Sequence, residues 1–179
     1  MDWTILLWVL GLIAVAIVAI PIIASTKPDT FRIERHSTIN APPEKVFPLI
    51  NDFRQWTQWS PWEKKDLALK RNYSGAPSGK GSVYEWEGNK NVGKGRMEII
   101  ESTAPSQIVI DLRFISPFKA HNAAEFTFTP TGNATMVNWA MTGPNVFMSK
   151  VMSTFVNFEK MVGKDFEQGL ANMKAAAER

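Results

Sequence analysis

The sequence predicts an α+β protein: one membrane-spanning helix, then an antiparallel sheet of about seven strands closed by a long C-terminal helix. Three observations carry this. Trp3 to Ala24 holds no charged residue. From Phe31 to Thr142, apolar and polar residues alternate in short runs separated by turn-forming residues, the period of half-buried strands. Beyond Asn145 the apolar spacing changes to steps of three and four, the period of a helix with one covered face.

At about 1.5 Å per residue, the run Trp3 to Ala24 would span roughly 30 Å, the hydrocarbon thickness of a bilayer. Trp3 and Trp8 stand toward one end, where indole rings favour the membrane interface. Pro21 stands near the other, where a helix break costs least. A cleavable signal peptide would need a basic leader, and only Asp2 and the terminal amine precede the run. A buried core helix would not be apolar on every side. The flank after the run carries Lys27, Arg32 and Arg35, and the flank before it carries no Lys or Arg, so the positive-inside rule predicts a cytoplasmic domain. The expected division is residues 1–26 as the membrane helix and 27–179 as the folded domain, joined by the short polar linker STKPDT.

Phe31, Ile33, Arg35, Ser37 and Ile39 share one face of the first strand. The segment APPEKVFPLINDFRQWTQWSPW, Ala41 to Trp62, follows. Pro42 and Pro43 suit a helix start, where the first turn leaves amide hydrogens unpaired anyway. Glu44 sits well near the positive end of the helix dipole. Val46, Phe47, Leu49 and Ile50 have helical spacing, and Pro48 predicts that the helix is short or kinked. Trp56, Trp59 and Trp62 end the segment.

Leu67 to Tyr73 is the next expected strand, followed by a turn at Ser74 to Gly79. Ser82 to Glu87 places Tyr84 and Trp86 on one face, and Gly88 to Asn91 turns the chain. Val92 to Glu101 points Gly95, Met97 and Ile99 inward. Gln107 to Phe114 does the same with Ile108, Ile110, Leu112 and Phe114. Ala120 to Thr129 and Thr135 to Thr142 complete the meander with Phe126, Phe128, Val137, Trp139 and Met141. Phe147, Val151 and Met152 mark a short helical piece. Phe155, Phe158, Val162, Phe166, Leu170 and Met173 then form one stripe, expected on a continuous helix, with a break near Gly163 as the alternative. Gly163 and Gly169 are poor helix formers, expected there for close packing on the sheet.

Without residues 1–26, whose only charged side chain is Asp2, the chain has 20 basic and 16 acidic residues, a mild excess. Charges are interspersed, as in Glu63-Lys64-Lys65-Asp66, which reads as solvated surface. No concentrated basic stripe points to nucleic acid. There is no cysteine, which removes disulfides and thiolate metal sites.

The order of elements, with the motifs APPEKVF, WSPW, YEWEGN, GKGRM and the terminal VGKDFEQGL, resembles the START-like domains of the SRPBCC superfamily, which includes polyketide cyclase-like and lipid-binding proteins. The resemblance covers about 31 to 176 and is most similar to its membrane-anchored or standalone bacterial members. It implies a helix-grip (START/Bet v 1-like) fold, in which a curved sheet grips the C-terminal helix with a cavity between them.

Catalytic chemistry is sparse. His36 is expected on a polar strand face and His121 at a strand start, too few groups for a metal site. Ser60 of WSPW lies before a proline, a turn-forming position, and no Gly-x-Ser-x-Gly is present. Glu85, Glu87, Asp111 and Glu125 have outward parity. Arg35 and Asn122 have inward parity; buried, each would need a partner, whereas Arg35 near a strand end would otherwise lie in solvent. Gly95, on an inward face, would leave room for a ligand.

Large apolar residues are abundant instead. Trp59, Tyr84, Trp86, Met97, Phe114 and Phe118 are candidate ligand contacts, together with Phe126, Trp139, Met141, Phe158, Val162 and Phe166. The leading reading is a membrane-anchored binder of a hydrophobic small molecule, such as a lipid, isoprenoid or polyketide-like compound, with no cofactor and no metal. The alternatives are a protein-interaction or chaperone-regulator-like module with a protein partner, favoured if Trp56 to Trp62 form an exposed patch, and a cyclase or hydratase, disfavoured by the lack of an inward acid.

Overall fold

A computed structural model describes residues 3–179; Asp2, which bears on the signal-peptide alternative, lies outside them. The chain divides into two compact units, one of residues up to Phe31 with Pro144–Phe158, the other of Arg32–Gly143 with Glu159–Arg179.

In the first unit, helix α1 (Trp3–Ser25) passes through Pro21 without ending. It is long and apolar enough to cross a membrane, and its large side chains are exposed. It contacts the short helix α3 (Phe147–Met152). Lys27 Nζ donates to the Lys150 carbonyl at 3.1 Å, to Ser153 Oγ at 2.8 Å and to Thr154 Oγ1 at 3.1 Å. A cation is well placed there, because the end of a helix leaves carbonyls unpaired. Lys150 is buried and pairs with Asp29 at 2.6 Å. The apolar stripe expected to begin at Phe155 does not: Phe155 lies in the turn after α3 and is exposed.

The second unit is built on seven antiparallel strands. They are β1 (Thr30–Ile39), β2 (Lys70–Gly75), β3 (Ser82–Glu87), β4 (Lys94–Thr103), β5 (Gln107–Ser116), β6 (Ala120–Thr131) and β7 (Ala134–Pro144), in the order β1-β7-β6-β5-β4-β3-β2. Inward parity matches the alternation in every long strand, as with Gly95, Met97 and Ile99 of β4. Register shifts at Lys94/Gly95 and Ile99/Glu101 mark irregularities in the β4–β5 pairing, of the kind that bend a sheet. The second strand begins later than expected. Leu67 is 92% exposed and sits in a turn, since the residues before Lys70 have no strand partner.

Helix α2 (Pro43–Asn51) is short and carries Pro48 inside it. Two indoles complete its end: Trp56 Nε1 donates to the Ile50 carbonyl at 3.0 Å and Trp59 Nε1 to the Leu49 carbonyl at 2.8 Å. Last-turn carbonyls need such donors. WSPW is not an open loop, because Pro61 starts a second 3-10 turn, Pro61–Lys64, after Phe53–Gln58.

Helix α4 (Phe158–Ala177) is continuous through both glycines, and Phe166, Leu170 and Met173 are buried along it. At Gly163 a Cβ would collide with the Arg35 guanidinium. Arg35 lies there because Glu159 and Glu167 each hold it at 2.7 Å. Its partners are thus protein carboxylates. At Gly169 a Cβ would come within 2.8 Å of the Trp139 ring.

A candidate ligand cavity

Between the inner face of the sheet, the Pro61–Lys64 turn and α4 lies a cavity of about 360 Å³ with mostly apolar walls. This volume is in the range of small-molecule sites. Tyr84 and Trp86 of β3, Met97 of β4, Phe114 of β5, and Trp139 and Met141 of β7 supply the sheet side. Val162 and Phe166 supply the helix side, where Phe166 stacks on Trp139 with ring centroids 3.9 Å apart. Exposed Lys65, Asn91 and Met161 also line it and mark its rim. Lys65 pairs across the rim with Asp165 at 2.7 Å.

Four of the twelve candidate contacts do not line this cavity. Trp59 and Phe126 are fully buried against each other and Trp139. Phe118 is 82% exposed at the turn before β6. Phe158, the first residue of α4, is 36% exposed. The room expected at Gly95 is taken by the protein itself: Trp86 is its cross-strand partner, and a Cβ at Gly95 would strike the indole. Trp86 Nε1 is tied to the Val92 carbonyl at 3.0 Å, which fixes the ring in that notch.

The polar part of the wall was not legible. Glu63 is buried, not solvated. Its Oε1 accepts from the Tyr84 hydroxyl at 2.7 Å, and its Oε2 accepts from Arg71 Nε at 2.7 Å and Nη2 at 2.6 Å. Tyr73 stacks on Tyr84, with centroids 5.1 Å apart. Burial, and then the bond to Glu63, push the Tyr84 phenol well above its ordinary pKa, so it remains a donor. Glu63 and Tyr84 both line the cavity. The sequence carried one faint signal, the inward parity of Tyr84, whose hydroxyl needs a partner when buried.

His121 and Asp111 are not among the residues that line this cavity. His121 meets Asp111, which Arg113 also holds at 2.7 Å. Burial raises the Asp111 carboxyl, but these two bonds outweigh it and hold the carboxyl below its ordinary range. Buried Asn122 reaches only the Met141 sulfur, at 3.8 Å. Among the described residues no group of three or more His, Cys, Asp or Glu side chains is placed to hold a metal ion. Trp139 Nε1 is the one buried side-chain nitrogen or oxygen among them that has no hydrogen-bond partner.

Sheet, gripped helix and internal cavity define the class: a helix-grip domain. The chain belongs to the family described as polyketide cyclase / dehydrase and lipid transport, whose model matches residues 30–178. No curated protein matches it in sequence. Among solved structures it is similar to protein CV1439 from Chromobacterium violaceum, at 16% identity and a TM-score of 0.60, covering 86% of this chain and 99% of that one. It is also similar to the di-domain ARO/CYC BexL of the BE-7585A biosynthetic pathway, at 15% identity and a TM-score of 0.62, covering 86% of this chain and 52% of that one. A third is Aha1 from Colwellia psychrerythraea, at 16% identity and a TM-score of 0.57, covering 83% and 96%. At these identities the likeness is one of fold.

Proposed function

We propose that this protein binds a hydrophobic small molecule in the cavity between sheet and α4, and that α1 anchors it in a membrane. The observation that carries the reading is the cavity itself, about 360 Å³ with mostly apolar walls. Apolar burial contributes roughly 25 cal/mol per Å² before ordering costs, so such walls favour a lipid, isoprenoid or polyketide-like guest over a polar one. Tyr84, Trp86, Met97, Phe114, Trp139, Met141, Val162 and Phe166 are the proposed contacts. The exposed apolar length of α1 supports the anchor. The proposed side is cytoplasmic. Arg32 and Arg35 belong to β1 and are paired there with carboxylates, so Lys27 carries most of the orientation argument.

Native mass spectrometry of the full chain, released from its own membranes, tests the reading. The expected result is a mass increment of one apolar small molecule on the 20.1 kDa chain, lost on Phe166→Trp, which fills the cavity. A stoichiometric protein partner with no small molecule would overturn it. That alternative loses its motivating feature, because Trp56 and Trp59 are buried and form no exposed patch. The cyclase reading gains one, since Glu63 is an acid in the cavity wall. Conversion of a bound guest to a product of different mass would favour it.

A further inference from the structure

Inside its rim of Lys65, Asn91 and Asp165, the cavity wall has polar groups at Ser60, Glu63 and Tyr84, and their chemistry specifies a guest. Ser60 is 3% exposed and lines the cavity. Its hydroxyl makes no side-chain hydrogen bond among the described residues, nor is it sealed from the cavity in the way Trp139 Nε1 is. Ser60 and Glu63 belong to the same turn, in which the Glu63 amide donates to the Ser60 carbonyl at 3.3 Å. The Tyr84 hydroxyl spends its proton on Glu63, which leaves its oxygen able to accept. Among the described residues the Ser60 hydroxyl has no protein partner and is not closed off, so a guest in the cavity that reaches it can supply one.

The nearby cations are committed. Arg71 places Nε and Nη2 on Glu63 and Nη1 on the Leu69 carbonyl at 3.0 Å. Lys65 is held by Asp165. The patch therefore presents the Ser60 hydroxyl, the Tyr84 oxygen and the edge of a carboxylate, with no uncommitted cation beside them among the described residues. An anionic head would meet Glu63 without a counter-charge. A neutral hydroxyl would donate to Glu63 or Tyr84 and pair with Ser60.

Resting on the hydrophobic-binder reading, we propose that Ser60, Glu63 and Tyr84 select an uncharged, hydroxyl-bearing apolar molecule and reject its carboxylate analogue. The test uses the full chain in lipid nanodiscs, with empty nanodiscs as the blank. Naphthol, naphthoate and methylnaphthalene, substituted at the same ring position, are titrated calorimetrically at neutral pH. Naphthol is expected to bind at least about 10-fold more tightly than naphthoate, the scale of one lost charge-assisted contact. Ser60→Ala breaks no hydrogen bond of the protein itself. It should weaken naphthol by about 3- to 10-fold and leave methylnaphthalene unchanged. Glu63→Gln should raise the affinity for naphthoate. Equal binding of naphthol and naphthoate, or a Ser60→Ala variant that binds naphthol like wild type, would overturn the selection while leaving the cavity reading intact. No saturable binding of any of the three would overturn the cavity reading, and this inference with it.

Discussion

The first unit turns its large apolar side chains outward, with Trp8 at 76% exposure and Phe147 at 54%; in the second unit Trp59 and Phe126 have none. Large apolar residues stand in both units, and only the charge-free run Trp3 to Ala24 sets the first apart by composition. The difference lies in what surrounds the backbone. In the second unit, strands and α4 cover each other, and three of five core or wall indoles, Trp56, Trp59 and Trp86, find a carbonyl for their N–H. In the first, α1 satisfies its own backbone and leaves its side chains uncovered, an arrangement suited to lipid and costly in water. Apolar surface thus stands in two roles within one chain, one facing outward along a helix and one lining an interior that is not completely filled.

The strongest test of this contrast is deletion of residues 1–26. The full chain is expected in the membrane fraction and resistant to alkaline carbonate, and the truncated chain in the soluble fraction with its sheet spectrum intact. Release of the full chain by carbonate would break the contrast. Protease added to spheroplasts should leave the domain whole; its digestion without lysis would reverse the proposed side.

Stability should separate the units next. Phe166→Ala removes a ring stacked on Trp139 and should cost about 3–5 kcal/mol by chemical denaturation. Phe147→Ala removes an exposed ring and should change stability by about 0.5 kcal/mol or less. Equal losses would mean that both rings are covered alike. Trp139→Phe is intermediate, at under about 2 kcal/mol, because it also removes the unpaired indole N–H.

The smallest effect is one of pH. Asp111 has a depressed folded pKa, so its contribution is present above its unfolded value of 3.8 and is lost as pH falls below that through the folded one. Asp111→Asn should flatten the acid limb of the stability curve below about pH 4. Asp29 of the first unit is shifted in the same direction by Lys150 but is fully exposed, so Asp29→Asn should flatten it less. The reverse order would sink this ranking.

Strand parity, the short α2 and the unbroken α4 were legible because each rests on a repeating pattern that burial enforces along many residues. Six of the cavity-lining residues followed from strand parity and two more, Val162 and Phe166, from the stripe of α4. What parity cannot tell is which inward residues meet solid protein and which meet space: Phe126 is the cross-strand partner of Trp139, yet only Trp139 lines the cavity. Phe158 fits the stripe of α4, but a first-turn residue need not be covered. Glu63 was hidden by its neighbours, since an acid beside Lys64 and Lys65 reads as surface until Arg71 and Tyr84 are brought to it from elsewhere in the chain.

The notch at Gly95 carries a consequence for how such a domain diversifies. One indole, from Trp86, occupies the space that a missing side chain leaves in the adjacent strand, and the same indole lines the cavity. Capacity is therefore set here by a replaceable plug and not by the course of the backbone. Exchanging that plug for a smaller residue would add the bulk of an indole to the chamber in a single codon change, with the glycine already in place behind it. A lineage carrying this pair holds a reserve of volume that selection can open or close without refolding the sheet.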